Sequence, residues 1–146
     1  MPARAFGEEG VAGMGTNTDP YQPIEERWRI TRSIVELLLE TRHPFTITTK
    51  SDRILRDLDL LRPAADLRIA SVAISITSLD PNIARTLEPR AAQPRKRLAA
   101  VKALNSAGIL CYVAIAPVIP QITDHGEGAS KLVADPVAIL VLGACD

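Results

Sequence analysis

Hydrophobic positions along this chain switch repeatedly between two periods. Short apolar runs of strand length alternate with longer stretches in which apolar side chains recur at helical spacing. That alternation predicts a parallel sheet assembled from successive βαβ units. Val11 to Gly15 forms the tail of a first strand. Pro23, Glu25 and Glu26 open a helix in which Trp28, Ile30, Ile34, Val35, Leu37 and Leu38 are helically spaced, and His43-Pro44 ends it. Phe45 to Thr49, rich in β-branched residues, is a second strand; Asp52 then caps a helix carrying Ile54, Leu55, Leu58 and Leu61 toward the sheet, with Pro63 at its exit. Ile69 to Thr77 is a third strand, after which Ser78, Asp80 and Pro81 start a short helix through Leu87. A turn at Glu88-Pro89-Arg90 leads to a helix over Pro94 to Ala107, with Leu98, Val101 and Leu104 apolar and Gly108 as its C-terminal cap. Ile109 to Ala116 is the next strand. Beyond Asp124-His125 the pattern weakens, Gly126-Glu127-Gly128 interrupts the chain, and Val137 to Leu142 suggests a last strand.

The expected class is therefore α/β, with parallel strands alternating with helices. Such an array fits either consecutive units of a β/α barrel or an open doubly wound sheet, and periodicity does not separate the two. With no repeat at solenoid spacing, no low-complexity tract and no interdomain linker, the array is continuous.

Composition narrows the function classes. A chain of 146 residues with 47% hydrophobic content builds one core, as a single domain or part of one. Its 17 basic and 17 acidic side chains cancel, which removes the general electrostatic footprint of a nucleic-acid or acidic-membrane binder while leaving a local basic patch open. Cys111 and Cys145 are too few for a disulfide framework. The first 14 residues carry Glu8 and Glu9 and no apolar core, so no secretory signal is expected, and no apolar stretch reaches the roughly 18 residues of a membrane span. A cytoplasmic location is the expectation.

Parallel α/β folds bind ligands beyond the carboxyl ends of their strands, which selects the residues after each apolar run. Asn17, Thr18 and Asp19 offer carbonyl, hydroxyl and carboxylate oxygens to an ammonium group, and equally suit an Asx-type turn before a helix. Lys50 can hold a carboxylate or phosphate as a point charge, or stand solvated at a strand end. Ser75, inside a strand, needs a hydroxyl partner that a ligand or the backbone can supply. Arg90 can clamp an anion bidentately or pair with Glu88. His43 suits a helix terminus, and His125 beside Asp124 stands alone in a loop. With no clustered cysteine they form no metal motif. Cys111, in an apolar strand, is a core residue. No nucleophilic triad and no glycine-rich phosphate loop occurs, so no catalytic residue is assigned.

Five segments together carry a resemblance. Gly15-Thr16-Asn17-Thr18-Asp19-Pro20-Tyr21-Gln22-Pro23-Ile24-Glu25, Thr49-Lys50-Ser51, the run Ser71 to Thr77, Leu87-Glu88-Pro89-Arg90-Ala91 and Pro117-Val118-Ile119-Pro120 stand in an order that closely resembles radical S-adenosylmethionine (radical SAM) proteins of the spore-photoproduct-lyase-like group. The similarity runs from about Gly15 to His125. It implies part of a partial (β/α)6 TIM-like barrel, with S-adenosylmethionine and a 4Fe-4S cluster across its open C-terminal face, and reductive cleavage of the sulfonium to a 5′-deoxyadenosyl radical. It further implies that Asn17, Thr18 and Asp19 contact the methionine amino group, Lys50 and Ser75 the carboxylate or ribose, and Arg90 a nearby anionic group. Nucleic acid enters as a partner by resemblance only, and the substrate is not identified.

The departure from that pattern is equally specific. The expected Cys-x-x-x-Cys-x-x-Cys is missing, and an iron–sulfur cluster needs closely spaced thiolates. The expectation is an incomplete chain, divided into an irregular segment 1–14, a central barrel part 15–125 and a divergent segment 126–146, inactive alone and prone to self-association through open strand edges. Two other readings stay open: a non-catalytic remnant or small-molecule-binding α/β module, and an unrelated doubly wound nucleotide-binding protein.

Overall fold

Residues 10–115 and 139–141 are described by the computed structural model. Five parallel strands form one sheet in the order β1-β2-β3-β4-β5, namely Ala12–Met14, Phe45–Thr49, Ala70–Ser75, Cys111–Ile115 and Ile139–Val141. Each strand pairs with its immediate predecessor, so the described sheet has no reversal of strand order. A doubly wound fold requires such a reversal at its switch point, and that alternative falls. Consecutive order is the winding of a β/α barrel. The segments Pro117–Pro120 and Asp124–His125, residues 126–138 and Cys145 lie outside the described residues, as does all but 139–141 of the last expected strand.

Register and burial together assign the two faces of the sheet. Ile47, Val72 and Cys111 share one row, and Ile74 and Val113 another. These are buried in one core cluster with Val35, Leu61, Val101 and Leu104 from the helices α2 (Ile30–Glu40), α3 (Leu58–Asp66) and α5 (Pro94–Ser106). Burying each such side chain contributes about 1.5–3 kcal/mol. The alternate rows, Gly13 with Thr46 and Ser71, and Thr48 with Ala73 and Tyr112, lie on the opposite face and are mostly small or hydroxyl-bearing.

The helices depart from expectation in three places. The helix after the first loop is two: α1 (Glu25–Trp28) and α2, separated by Arg29 in the left-handed region at φ 50°. The cause is local, because the buried Glu25 carboxylate accepts the N–H groups of Ile30 (3.0 Å) and Arg32 (3.3 Å) and so caps a new helix start. Of the apolar positions assigned to this stretch only Val35 is fully buried; Trp28, Ile30, Ile34 and Leu37 are exposed. Second, the N-cap before α3 is Ser51, whose hydroxyl accepts the Arg53 N–H, and Asp52–Asp57 is a 3-10 helix. Third, Pro63 sits inside α3 rather than at its exit. Its missing N–H costs a hydrogen bond to the Asp59 carbonyl, a residue that is solvent-exposed. Elsewhere expectation holds: Asp80 caps α4 (Pro81–Leu87), accepting the N–H groups of Asn82 and Ile83, with Pro81 in the first turn.

Three helices hand over to the next strand through one device. The N–H of His43 bonds to Leu38 O and that of Arg42 to Leu39 O; Ile69 to Ala64 and Arg68 to Ala65 repeat the pair, as do Ile109 to Leu104 and Gly108 to Asn105. These are Schellman closures, each with its pivot at positive φ: Arg42 (54°), Arg68 (58°) and Gly108 (79°). Glycine adopts that conformation without a Cβ penalty, whereas arginine bears a cost of about 1 kcal/mol. Arg68→Gly should therefore stabilise the protein by roughly 0.5–1 kcal/mol, seen as a higher urea midpoint at unchanged slope. Gly15 is the opposite case. At φ 94°, a Cβ there would lie 1.9 Å from the Thr48 carbonyl oxygen. Gly15→Ala should cost about 2 kcal/mol or more, while Gly108→Ala, with nothing within 4 Å of the new methyl, should cost only the roughly 1 kcal/mol of backbone strain.

Candidate functional site

The loops after β1, β2 and β3 gather at the C-terminal end of the sheet. Gly15 lets the first of them turn directly against β2, and Asp19 fastens it there. The Asp19 carboxylate accepts three hydrogen bonds: Oδ1 from the Tyr21 N–H (2.9 Å) and the Thr49 hydroxyl (2.7 Å), and Oδ2 from the Lys50 N–H (2.7 Å). The first is the Asx turn anticipated from sequence; the other two join the loop to the end of β2. Thr31 anchors the same loop from α2, donating to the Pro20 carbonyl at 2.6 Å.

Behind the loop lies a buried polar network. Tyr21 is 1% exposed and donates to Asp57 Oδ2 (3.1 Å); Asp57, fully buried, also takes the Arg32 guanidinium at 2.9 Å. Arg56 stacks over the Tyr21 ring and pairs with Glu25 Oε1 at 2.8 Å. Burial, reinforced by the Asp57 charge and hydrogen bond, raises the Tyr21 phenol above its ordinary range, so Tyr21 stays a neutral donor. These groups set the angle at which the loop enters α1.

A second network spans the ends of β2 and β3. Arg97, in α5, is 1% exposed: Nε donates to Ala92 O (2.6 Å), Nη1 to Ser75 O (2.8 Å), and Nη2 pairs with Glu88 Oε2 (2.6 Å). Glu88 Oε1 receives the Lys50 ammonium (2.7 Å) and the Thr77 hydroxyl (2.9 Å). Burial alone would raise the Glu88 pKa, but the Lys50 hydrogen bond and the Arg97 charge outweigh it, and the carboxyl is held below its usual value.

A cavity of about 870 Å³ opens between the Asp19 loop, the residues after β2 and the start of α5. It brings together Asp19, Lys50 and Arg90 among the residues singled out from sequence, with Pro23, Arg53, Ala91 and Lys96 in its wall. Asn17 and Thr18 are exposed on the Asp19 loop but are not among the described residues lining the cavity. Ser75 ends β3 and connects to the site through its carbonyl on Arg97. Arg90 is exposed, and Glu88 pairs with Lys50 and Arg97 instead of with it. Sequence reasoning overlooked Arg97 and Asp57, although the signal was present: Arg97 shares the helical face of Ala100, Val101 and Leu104, and Asp57 that of Ile54 and Leu61. A charged residue within an apolar stripe marks a buried, paired charge.

The groups present do not fit an iron–sulfur cluster. Cys111 is 2% exposed in the helix-facing core, and burial pushes its thiol up to about 12. No cluster of His, Cys, Asp or Glu suited to a metal exists among the described residues. The strand face opposite the helices does suit a polar organic ligand: Thr46 Oγ1 is buried there without a hydrogen-bond partner among the described residues, in a row whose neighbour at β1 is Gly13. No described helix is long and apolar enough to cross a membrane.

The Radical SAM superfamily model matches residues 3–132. An uncharacterized protein of Mycobacterium tuberculosis is 40% identical over 122 residues, which cover 84% of this chain and 36% of the relative. An uncharacterized protein of Methanocaldococcus jannaschii is 34% identical over 116 residues, 80% of this chain and 43% of the relative. The chain thus spans well under half the length of these relatives. In fold it is similar to spore photoproduct lyase complexed with dinucleoside spore photoproduct, at a TM-score of 0.62 and 19% identity, covering 79% of this chain and 33% of that one.

The Glu88 network has a pH signature. Because its folded pKa is depressed, Glu88 contributes stability that is present above its ordinary value of 4.5 and is lost as pH falls through the lower folded value. Glu88→Gln should cost about 2 kcal/mol at pH 7 and less at pH 3, so that the stability difference from wild type narrows on acidification. Urea titrations across that range measure it; a difference constant with pH would contradict the assignment.

Proposed function

The chain belongs to the Radical SAM superfamily, and from that premise we propose that residues 15–125 are the S-adenosylmethionine-holding middle of a partial (β/α)6 barrel. In this proposal residues 1–14 and 126–146 flank that unit, and the two cysteines of the 146 residues, Cys111 and Cys145, do not supply the closely spaced thiolates of a 4Fe-4S cluster. The observation that supports it most is the gathering of Asp19, Lys50 and Arg90 around one cavity at the carboxyl ends of consecutive parallel strands.

The roles within that site follow the hydrogen bonds already made. Asp19 carries three donors and positions the loop, which leaves the exposed Asn17 and Thr18 to offer oxygens to the methionine ammonium. Lys50, one of whose ammonium donors is taken by Glu88, has two left for the carboxylate. Ser75 faces the sheet surface opposite the helices, toward the ribose. Beside a reducing cluster, bound S-adenosylmethionine would be a source of radical chemistry; Asn17, Thr18, Lys50 and Ser75 would bind and orient it. A DNA-related substrate and a cytoplasmic setting go with the family reading. The edge that β1 forms among the described strands and the exposed Trp28, Ile30, Ile34 and Leu37 suit self-association.

A second reading, a binding module without redox chemistry, is favoured by Cys111 lying in the core, away from the site. Calorimetry with S-adenosylmethionine tests what the two share. Binding is expected, weakened about fivefold by each of Asn17→Ala and Thr18→Ala. No saturable binding sinks both. Anaerobic incubation with iron and sulfide is expected to leave no stoichiometric iron; a brown sample with thiolate–iron absorption would overturn the account of the missing ligands.

A further inference from the structure

The 870 Å³ cavity has an electrostatic character that the chain as a whole lacks. Overall the charges cancel at 17 and 17, yet four cationic side chains, Lys50, Arg53, Arg90 and Lys96, line this cavity against the two acids Asp19 and Asp52. Asp19 is already satisfied by three donors. Lys50 and Arg53 each hold one carboxylate, Glu88 and Glu26, both outside the described lining. Arg90 and Lys96 are exposed and form no ion pair with any described residue. Asp52, in the same wall, likewise forms no ion pair with a described residue. The lining cations thus outnumber the lining acids four to two, and Arg90 and Lys96 are the two that no described carboxylate holds, at the point where α5 begins with an N-cap, Gln93, that makes no side-chain bond.

We propose that this cavity binds a phosphate-bearing ligand, with Arg90 and Lys96 as its principal anion contacts and Lys50 and Arg53 at its edge. The choice of phosphate over carboxylate follows from charge. A single carboxylate offsets half of the excess of lining cations over lining acids, whereas a phosphate group carries enough charge and acceptor oxygens for Arg90 and Lys96 together, and the planar Arg90 fork matches two of those oxygens. The volume exceeds that of a phosphate alone, and Pro23, Ala91 and Ala92 give the ligand's uncharged body an apolar wall. The inference goes beyond the cofactor reading, because S-adenosylmethionine carries a carboxylate and no phosphate. It assigns Arg90 an anionic partner belonging to a second molecule.

Titration of the 146-residue chain with inorganic pyrophosphate, and separately with a short single-stranded oligodeoxynucleotide, tests it. At least one probe should bind saturably, weaken about tenfold or more in the Arg90→Ala/Lys96→Ala double variant, and remain unchanged in Arg62→Ala, an exposed cation outside the cavity wall. Both variants alter exposed side chains, and an unchanged melting temperature confirms that each still folds. Affinity for pyrophosphate alone identifies a small phosphate ester; loss of oligonucleotide affinity in the double variant identifies a nucleic-acid backbone as the source. Absence of saturable binding to either probe, or equal weakening in Arg62→Ala, overturns the proposal. A parallel titration with S-adenosylmethionine separates the two readings, since phosphate binding without cofactor binding refutes only the cofactor reading, and the converse refutes only this one.

Discussion

The buried guanidinium of Arg97 holds the functional end of the molecule together. Its three donor arms reach the loop before α5, the last carbonyl of β3 and the Glu88 carboxylate, and Glu88 passes the connection to Lys50 at the end of β2 and Thr77 after β3. Burying a charge of this kind is expensive unless every polar atom around it is paired, so the arrangement is all-or-none. Removing Glu88 leaves the buried Arg97 charge without its carboxylate, and removing Arg97 leaves Glu88 to Lys50 and deprives the Ser75 and Ala92 carbonyls of their donor. The same logic governs Asp57 behind the first loop, where Tyr21 and Arg32 converge on a fully buried carboxylate. The two networks flank the cavity and fix both of its walls by charge pairing, while the apolar core holds the sheet to the helices.

This changes how the most informative stretch of the chain is understood. In the segment from Gly15 to Glu25, most residues with a distinctive chemistry act on the fold. Gly15 permits a backbone approach that no side chain would survive, Asp19 fastens the loop to β2, Pro20 receives Thr31, Tyr21 closes onto Asp57, and Glu25 caps α2. Thr16, Asn17, Thr18 and Gln22 are exposed and carry no such duty toward the described residues. A loop with so many internal obligations is preorganised, so that binding a ligand there does not have to order it.

The sheet was legible from sequence because each strand is a compact apolar run between turn residues, and Asp80-Pro81 and Gly108 punctuate the chain by rules that depend on local chemistry alone. What escaped depended on side-chain contacts and backbone conformations that residue type and spacing do not encode. The break at Arg29 exists because Glu25 turns back to cap the following helix, and the pivots at Arg42 and Arg68 hold left-handed conformations that their sequence does not advertise. Ser51 rather than Asp52 capped the next helix because Thr49 fixes its backbone, donating nothing to the helix but accepting the Ser51 N–H. The barrel type of winding, as opposed to the doubly wound one, was invisible to periodicity because both place the same strands and helices in the same order along the chain. Only pairing distinguishes them.

That pairing bears on how the chain acquires its structure. Since every described strand bonds to the one synthesised just before it, each new βα unit emerging from a ribosome meets a finished template, and no strand has to wait for a later one to be inserted beside it. The loop closures required are short for a parallel sheet, which lowers the entropic barrier that usually slows such folds. This order permits vectorial growth from one edge, with the newest strand the adhesive one until its successor arrives.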